Sequence, residues 1–201
     1  MIRYRKGSLE DLQHIYPSFA DEFPANERKT IDQLGTLMER GDYHLIVAEN
    51  IFHNNADRIG FAFIYMPMDS EFIWLDYLVI EKNHQSKGYG SLFFNYLLQS
   101  RKRIKCMYIE VEIPTGKDEN QERRVNYYER LGAVRLNMAY QLPIPEGGVP
   151  MYLYLSKLEN SESVTKEEVF DAIKRAHEYI HWDHDHLSTI YHEIIKSFQH
   201  R

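Results

Sequence analysis

A short turn containing two glycines is the part of this chain that points most directly to chemistry. Residues 84–91 read His-Gln-Ser-Lys-Gly-Tyr-Gly-Ser, and they stand between an extended apolar run and an apolar run with helical spacing. Glycine lets the backbone approach a ligand closely, and the start of a helix presents N–H groups and the positive end of its dipole. Gly88 and Gly90 therefore predict a turn that binds a phosphate or pyrophosphate group.

Two familiar phosphate motifs do not fit this turn. A Walker loop needs a lysine directly after its last glycine, but Ser91 follows Gly90. A dinucleotide fingerprint needs a third glycine, but Phe93 stands at that position. The remaining pattern is Gln-x-x-Gly-x-Gly directly after an apolar strand, and an ordinary strand–turn–helix connection is the alternative for so short a motif.

The surrounding pattern alternates strands and helices. The helix that follows the turn carries an apolar stripe formed by Leu92, Phe93, Tyr96 and Leu97, which we expect to be buried. Predicted strands cover residues 1–5, 44–48, 59–65, 72–80, 106–113, 134–142 and 150–157, and predicted helices cover 9–18, 29–40, 88–101 and a segment ending at 131.

Two further segments give the turn a context. Residues 126–133 read Asn-Tyr-Tyr-Glu-Arg-Leu-Gly-Ala, and residues 109–111 read Ile-Glu-Val. With the turn, they resemble the GNAT (Gcn5-related N-acetyltransferase) family, which has an Arg/Gln-x-x-Gly-x-Gly/Ala loop, a Leu-Glu-Val strand in some members and a later Phe-Tyr-Glu-Lys-Leu-Gly-Phe segment. The resemblance spans roughly residues 1–157. It implies an α/β fold with a mixed, mostly antiparallel, splayed sheet flanked by helices.

The resemblance also implies acetyl-CoA as co-substrate and assigns residues to it. The main chain of Leu78, Val79 and Ile80 would hold the pantetheine arm, as an added strand would. The family often places an asparagine seven residues before its catalytic tyrosine, and Gln121 stands there in this chain. The residues implied around the pyrophosphate are Gln85, Ser86, Lys87, Gly88, Tyr89, Gly90 and Ser91.

Acetyl transfer to an amine needs a base for the amine, donors for the oxyanion and an acid for the departing thiolate. The resemblance implies Tyr128 as the acid, although a tyrosine that only packs in the core is the alternative. Glu110 matches the acidic residue of the Leu-Glu-Val strand and is the candidate base, and Asp76 on another strand is its rival. Proton loss through water, with no single base, also remains open.

Three residues are candidates for binding the acceptor. Glu110 and Glu112 share one face of their strand with Tyr108, because side chains on a strand alternate with a period of two. Glu112 could attract an amine there, although a salt-bridged carboxylate fits equally well. Phe23 and Glu27 lie in the segment where acceptor-binding loops fall in this fold, and a simple break between helices is the alternative.

Composition excludes some classes of protein. The chain has 201 residues, of which 43% are hydrophobic, and its formal net charge is −6. The sequence shows no basic face of the kind that would predict nucleic-acid binding. No apolar run is long enough to span a membrane, and the first residues lack a signal-peptide pattern. A single cysteine, Cys106, fits a reducing compartment, so we expect a cytoplasmic protein.

The composition changes near residue 159, so we predict an acetyltransferase domain over 1–158 and a helical extension over 159–201. Thr165 to Glu168 forms a capping-box pattern that opens a helical hairpin or one bent helix. Its apolar faces can pack on the chain's own acetyltransferase domain or on a second copy, and we favour the homodimer contact. His177, His181 and His184 have a spacing that zinc sites use, but no fixed motif accompanies them, so we expect no metal.

The sequence thus predicts an N-acetyltransferase that moves an acetyl group from acetyl-CoA to a primary amine on a small molecule or peptide. Direct attack in a ternary complex is expected, because no motif marks Cys106 as an acyl-carrying nucleophile. The alternative is a catalytically degenerate acyl-CoA-binding domain that acts as a sensor or scaffold. The acceptor itself cannot be read from the residues.

Overall fold

The structure is a computed structural model that describes residues 1–23, 28–53, 55–159 and 161–199. The chain divides into two compact units, Met1–Lys102 and Arg103–Arg201. Each unit carries an antiparallel sheet accompanied by helices, which confirms the predicted α/β class and the mostly antiparallel sheet. The boundary predicted after residue 158 stays a prediction.

The first unit is a four-stranded antiparallel meander with three helices. Its strands follow one another in chain order, each hydrogen-bonded to the next. Its elements are β1 (Ile2–Lys6), α1 (Leu9–Glu22), α2 (Ile31–Glu39), β2 (Tyr43–Phe52), β3 (Asn55–Tyr65), β4 (Phe72–Ile80) and α3 (Tyr89–Leu98).

Side-chain caps start both N-terminal helices. Ser8 accepts a hydrogen bond from the Asp11 backbone, the Asp11 side chain bonds back to the Ser8 N–H, and Thr30 and Gln33 form the same box on α2. Helix α1 continues past the predicted end at residue 18 to Glu22, because Leu12, Ile15 and Phe19 form one buried stripe.

The buried face of α3 differs from the predicted one. Phe93 and Leu97 are buried as expected, but Phe94 and Leu98 complete the stripe, whereas Leu92 is 50% and Tyr96 37% exposed. An almost uniformly apolar helix offers several stripes at helical spacing, and packing selects among them. The Tyr96 ring stacks on Tyr4 of β1 at 4.0 Å between centroids.

In the second unit, strands pair around one long central strand. Strand β8 bonds to β5, β6 and β7, all antiparallel. The elements of this unit are β5 (Cys106–Glu112), α4 (Glu119–Arg130), β6 (Val134–Arg135), β7 (Tyr140–Ile144), β8 (Gly147–Lys157), α5 (Lys166–Ile180) and α6 (Leu187–Gln199).

The strand predicted over 134–142 is interrupted. Val134 pairs with Leu155 and Tyr140 with Met151, both on β8, and a turn closed by Met138 N–H to the Leu136 carbonyl lies between the two short strands. The alternation of apolar and polar residues does not reveal this turn, because the residues on both sides of it alternate as they do in strands.

The C-terminal extension forms two helices that pack within the second unit. The Thr165–Glu168 capping box is present, and the Ser197 hydroxyl of α6 accepts from the Ala139 N–H at 3.1 Å. Buried apolar residues on the two helices are Val169, Ala172, Ile173, Ala176, Ile180, Ile190 and Ile194. Because the chain itself covers these residues, they are buried without a second copy. The predicted homodimer contact stays a prediction.

Among the residues that the structure describes, no helix is long and apolar enough to cross a membrane.

Candidate functional site

The glycine turn follows β4 and ends at the first residue of α3. A single 3₁₀ turn over Lys82–His84 leads into it, and the backbone is left-handed at Ser86 (φ 61°) and Gly88 (φ 82°). Gly88 caps α3 without any side-chain hydrogen bond among the described residues, and a Cβ atom there would meet nothing within 4 Å. The first-turn N–H groups of α3 therefore open onto a space that no capping side chain fills.

Side chains of the turn hold its own backbone. The Gln85 amide donates to the Ile80 carbonyl at 3.0 Å, and the Lys87 ammonium donates to the Asn83 carbonyl at 2.6 Å. His84, for which no role was predicted, pairs with Asp57 of β3 at 2.9 Å between Nε2 and Oδ2. These contacts fix the shape of an otherwise exposed turn.

The turn has the chemistry that a pyrophosphate requires. Oriented N–H groups at an uncapped helix start favour an anion, and the exposed Lys87 adds a positive charge. The residues predicted for the pyrophosphate, 85–91, all lie on this turn or on the first turn of α3. They fit an acyl-CoA phosphate group.

Strand β4 has a bulge just before the segment predicted to hold the pantetheine arm. Tyr77 pairs with Phe63 but Leu75 pairs with Ile64, so Asp76 is the extra residue. After the bulge, Leu78 and Ile80 are half-buried while Val79 is buried. Gly60 is required opposite, because a Cβ there would clash with the Val79 carbonyl.

Asp76 lies in a buried ion pair. Its carboxylate accepts a hydrogen bond from the Tyr43 hydroxyl and lies 3.3 Å from the Lys29 ammonium. The side chains of Lys29 and Asp76 are only 10% and 4% exposed, and the ammonium also lies 5.4 Å from the centroid of the Tyr77 ring. Sequence reasoning missed Lys29 and Tyr43, and this geometry gives Asp76 a structural partner whether or not it is a base.

Of the predicted acceptor segment, only Phe23 lies within the described residues. Its ring packs 5.2 Å from that of Phe19 and 4.8 Å from that of Tyr77. Glu27 lies outside the described residues, so its predicted role stays a prediction.

In the second unit, Glu110 belongs to a hydrogen-bonded chain. The Tyr140 hydroxyl on β7 contacts Glu110 Oε1, and the same hydroxyl lies 2.8 Å from His177 Nε2 on α5. Tyr140 and His177 are 1% and 2% exposed, whereas Glu110 is half-buried. Burial lowers the pKa of His177 to about 3, so the imidazole is neutral at physiological pH.

The other residues on the predicted acidic face behave differently. Glu112 forms an ion pair with Arg124 of α4, which is the salt-bridged alternative, and its acceptor role stays a prediction. Tyr108 is buried, and this burial raises the pKa of its hydroxyl far above the ordinary value. Of the three residues predicted to share this strand face, Tyr108 is therefore buried, and Glu110 and Glu112 are half-buried.

Tyr128 is a buried residue of α4 with a neutral hydroxyl. Burial raises its pKa to about 12, while Arg124 lowers it and Glu112 raises it. Its neighbour Tyr127 has a buried hydroxyl that finds no hydrogen-bond partner among the described residues. A phenol that stays protonated is able to donate to a leaving group.

Gln121, predicted to contact the cofactor, serves its own loop. Its side-chain oxygen accepts from the Thr115 N–H at 2.9 Å and from the Thr115 hydroxyl at 3.0 Å. Its cofactor contact stays a prediction.

The C-terminal histidines adjoin one another. The rings of His177 and His181 lie 6.0 Å apart, and those of His181 and His184 lie 5.3 Å apart. In the described part of the chain, no group of three histidine, cysteine or acidic residues has the geometry to hold a metal ion.

The α/β fold and the glycine turn after β4 have the features of an acyltransferase. The model of the Acetyltransferase (GNAT) family matches residues 9–133, more than half of the chain. The chain belongs to this family.

The chain is also similar to one relative and to two solved structures. YjbC of Bacillus subtilis (strain 168), an acetyltransferase by its name, is 27% identical over 175 residues, which cover 83% of this chain and 80% of YjbC. A GNAT-family protein from Bacteroides thetaiotaomicron superposes with a TM-score of 0.69 at 24% identity, covering 88% of this chain and 96% of that one. Spermidine N-acetyltransferase from Vibrio cholerae, in a dodecameric structure, superposes with a TM-score of 0.58 at 17% identity, covering 80% and 98%. At these identities the solved structures show a shared fold.

Proposed function

We propose that this chain transfers an acetyl group from acetyl-CoA to a primary amine by direct attack in a ternary complex. The observation that carries the proposal is the uncapped start of α3 at the left-handed Gly88, which suits the pyrophosphate of an acyl-CoA. Family membership supports the transfer reaction.

The first unit supplies the residues for cofactor binding. The turn over residues 85–91 binds the pyrophosphate through N–H groups and Lys87, and the main chain of residues 78–80 holds the pantetheine arm. Bound acetyl-CoA supplies an activated acetyl thioester. Gln85 and Lys87 donate hydrogen bonds to backbone carbonyls, and these bonds stabilise the turn before the ligand binds.

Tyr128 and Glu110 are the proposed acid and base. Tyr128 donates its phenolic proton to the departing thiolate, which its raised pKa permits. Glu110 accepts a proton from the amine, because its carboxylate is half-buried and is held by Tyr140, whereas Asp76 is already paired with Lys29. Cys106 is buried, which argues against an acyl-enzyme route.

The proposed acceptor is a small-molecule or peptide amine. The Vibrio cholerae structure of the same fold is a spermidine N-acetyltransferase by its title, and the net charge of −6 is compatible with a cationic acceptor. The cytoplasm is the proposed location, because a single buried cysteine suits a reducing compartment. Self-association is proposed from the dodecameric assembly of that protein, and sedimentation of the full chain tests it.

The deciding experiment measures thiol release from acetyl-CoA with a panel of polyamines, amino acids, aminoglycosides and N-terminal peptides. Calorimetry of acetyl-CoA binding runs in parallel. Amine-dependent thiol release supports the proposal. Binding without release on any acceptor favours the sensor or scaffold alternative, and absence of binding contradicts the assignment of the glycine turn.

A further inference from the structure

One residue of the C-terminal extension lies in a hydrogen-bonded chain that ends at the proposed base. His177 of α5, Tyr140 of β7 and Glu110 of β5 are separated by 30 or more positions in the sequence. The middle and far members are almost completely buried, and only Glu110 is half-exposed. Buried polar groups are hydrogen-bonded because leaving them unpaired is costly, so this chain is a fixed arrangement.

The direction of the two hydrogen bonds follows from proton counting. An ionised carboxylate only accepts, so the Tyr140 hydroxyl uses its single proton to donate to Glu110 Oε1. The Tyr140 oxygen then accepts from His177, which we assign as a neutral imidazole carrying its proton on Nε2. The neutral ring agrees with the lowered pKa of His177.

We propose that His177 is a positioning residue, which holds the Glu110 carboxylate in its reactive orientation through the Tyr140 hydroxyl. The inference rests on the proposed function, in which Glu110 is the base. Through His177, helix α5 of the C-terminal extension then contributes to catalysis.

The physical effect combines orientation and ionisation. A hydrogen bond donated to one carboxylate oxygen fixes the side-chain rotamer and favours the charged form, which is the form a base needs. The His177 N–H strengthens that bond by polarising the hydroxyl between them. The other carboxylate on the same strand face, Glu112, is paired with Arg124 instead, so the chain acts on Glu110 specifically.

The test compares turnover of full-length variants. Tyr140→Phe removes only the linking hydroxyl, and His177→Leu removes the donor. Both are expected to lower kcat by about 10- to 100-fold, less than or comparable to the roughly 10²–10⁴-fold that a general base contributes. The KM for acetyl-CoA should stay within about threefold, because residues 78–91 are untouched. His177→Gln retains an N–H donor and should restore much of kcat.

A matched control and a double variant make the result specific. Tyr191→Phe removes another hydroxyl of the extension, which donates to the Phe170 carbonyl at 3.4 Å, and it should leave kcat unchanged. In a Glu110→Gln background, His177→Leu should cause no further loss, because the residue acts through Glu110.

The outcomes distinguish the positioning role of His177 from the proposed function. If Glu110→Gln lowers kcat while folded Tyr140→Phe and His177→Leu retain wild-type kcat, the positioning role is overturned and the proposed function stands. If His177→Leu fails to fold, Tyr140→Phe decides alone. If Glu110→Gln retains wild-type kcat, Glu110 is not the base and both assignments fail. If the wild-type chain releases no thiol with any amine, the proposed function falls first.

Discussion

At the scale of single residues, the buried side chains of Asp76 and Tyr128 have different environments. Asp76 is bound by Lys29 and Tyr43 and has the environment of a structural ion pair. Tyr128 is buried with a protonated hydroxyl and has the environment of an acid. The partners of Asp76 make this distinction, because Tyr128 owes its raised pKa mainly to burial.

Tyr128→Phe is expected to lower turnover by about 10²–10⁴-fold while leaving acetyl-CoA affinity nearly unchanged, because it removes only a proton donor. Tyr127→Phe is the matched control, since it removes a buried hydroxyl that has no hydrogen-bond partner among the described residues. Steady-state kinetics and calorimetry check the pair. Turnover of Tyr128→Phe within about threefold of wild type would mean that Tyr128 is not the acid.

Lys29→Met is expected to lower the free energy of unfolding by about 3–5 kcal/mol, because it leaves the Asp76 carboxylate buried without its cation. Adding Asp76→Asn should recover part of that loss. Lys174→Met breaks an exposed pair with Glu178, so it should change the stability by less than about 1 kcal/mol. Urea unfolding compares them, and equal losses for the two lysines would contradict a buried pair.

At the scale of elements, the glycine turn and helix α3 together form the proposed pyrophosphate site. Strand β4 leads into the turn, and the left-handed Ser86 and Gly88 change the direction of the backbone. Helix α3 then begins after Gly88, with no side-chain cap among the described residues. The packed face of α3, Phe93 with Phe94, Leu97 and Leu98, anchors the helix, so the turn is held while it stays exposed.

Gly88→Val is expected to lower acetyl-CoA affinity by 10-fold or more, on the order of 1–2 kcal/mol, because a side chain would enter the open space and the left-handed backbone disfavours it. Gly41→Val is the control, since Gly41 is also left-handed and its Cβ also meets nothing within 4 Å. The two variants share the backbone strain, and only Gly88→Val should affect calorimetric binding. Equal acetyl-CoA affinity in the two variants would mean that the turn is not part of the binding site.

At the scale of the whole molecule, both compact units bury a histidine in its neutral form. Burial, helped by Lys6 and Arg101, lowers the pKa of His44 to about 4 in the first unit. Burial lowers the pKa of His177 to about 3 in the second. Because the unfolded chain takes up these protons near pH 6.5, acidification favours unfolding before either folded histidine is charged.

The free energy of unfolding is therefore expected to fall as the pH decreases from about 6.5 to about 4. Above about pH 7 the two histidines should make their full contribution to that free energy. The sign follows because the folded pKa of each histidine lies below its unfolded value. His177→Gln should flatten this dependence, because it removes one of the two buried imidazoles. Urea unfolding at pH 7.5 and pH 5 decides, and an equal pH difference in wild type and His177→Gln would contradict the expectation.

The sequence by itself determined the features that local patterns encode. These features are the glycine turn, the strand before it, the helix after it and the capping box at Thr165. Each depends on neighbours within a few positions, and the structure has each of them. The family resemblance rested on the same local motifs, and the family match confirmed it.

Only the tertiary structure decided what the buried polar residues contact. Lys29 with Asp76, and Tyr140 and His177 with Glu110, are pairings between distant segments, and strand register and helix packing create them. The same holds for the buried face of α3, because an apolar helix presents several stripes and the sheet beneath selects one. Side-chain types indicate which chemistry is available, but burial and partners set the ionisation and orientation on which that chemistry depends.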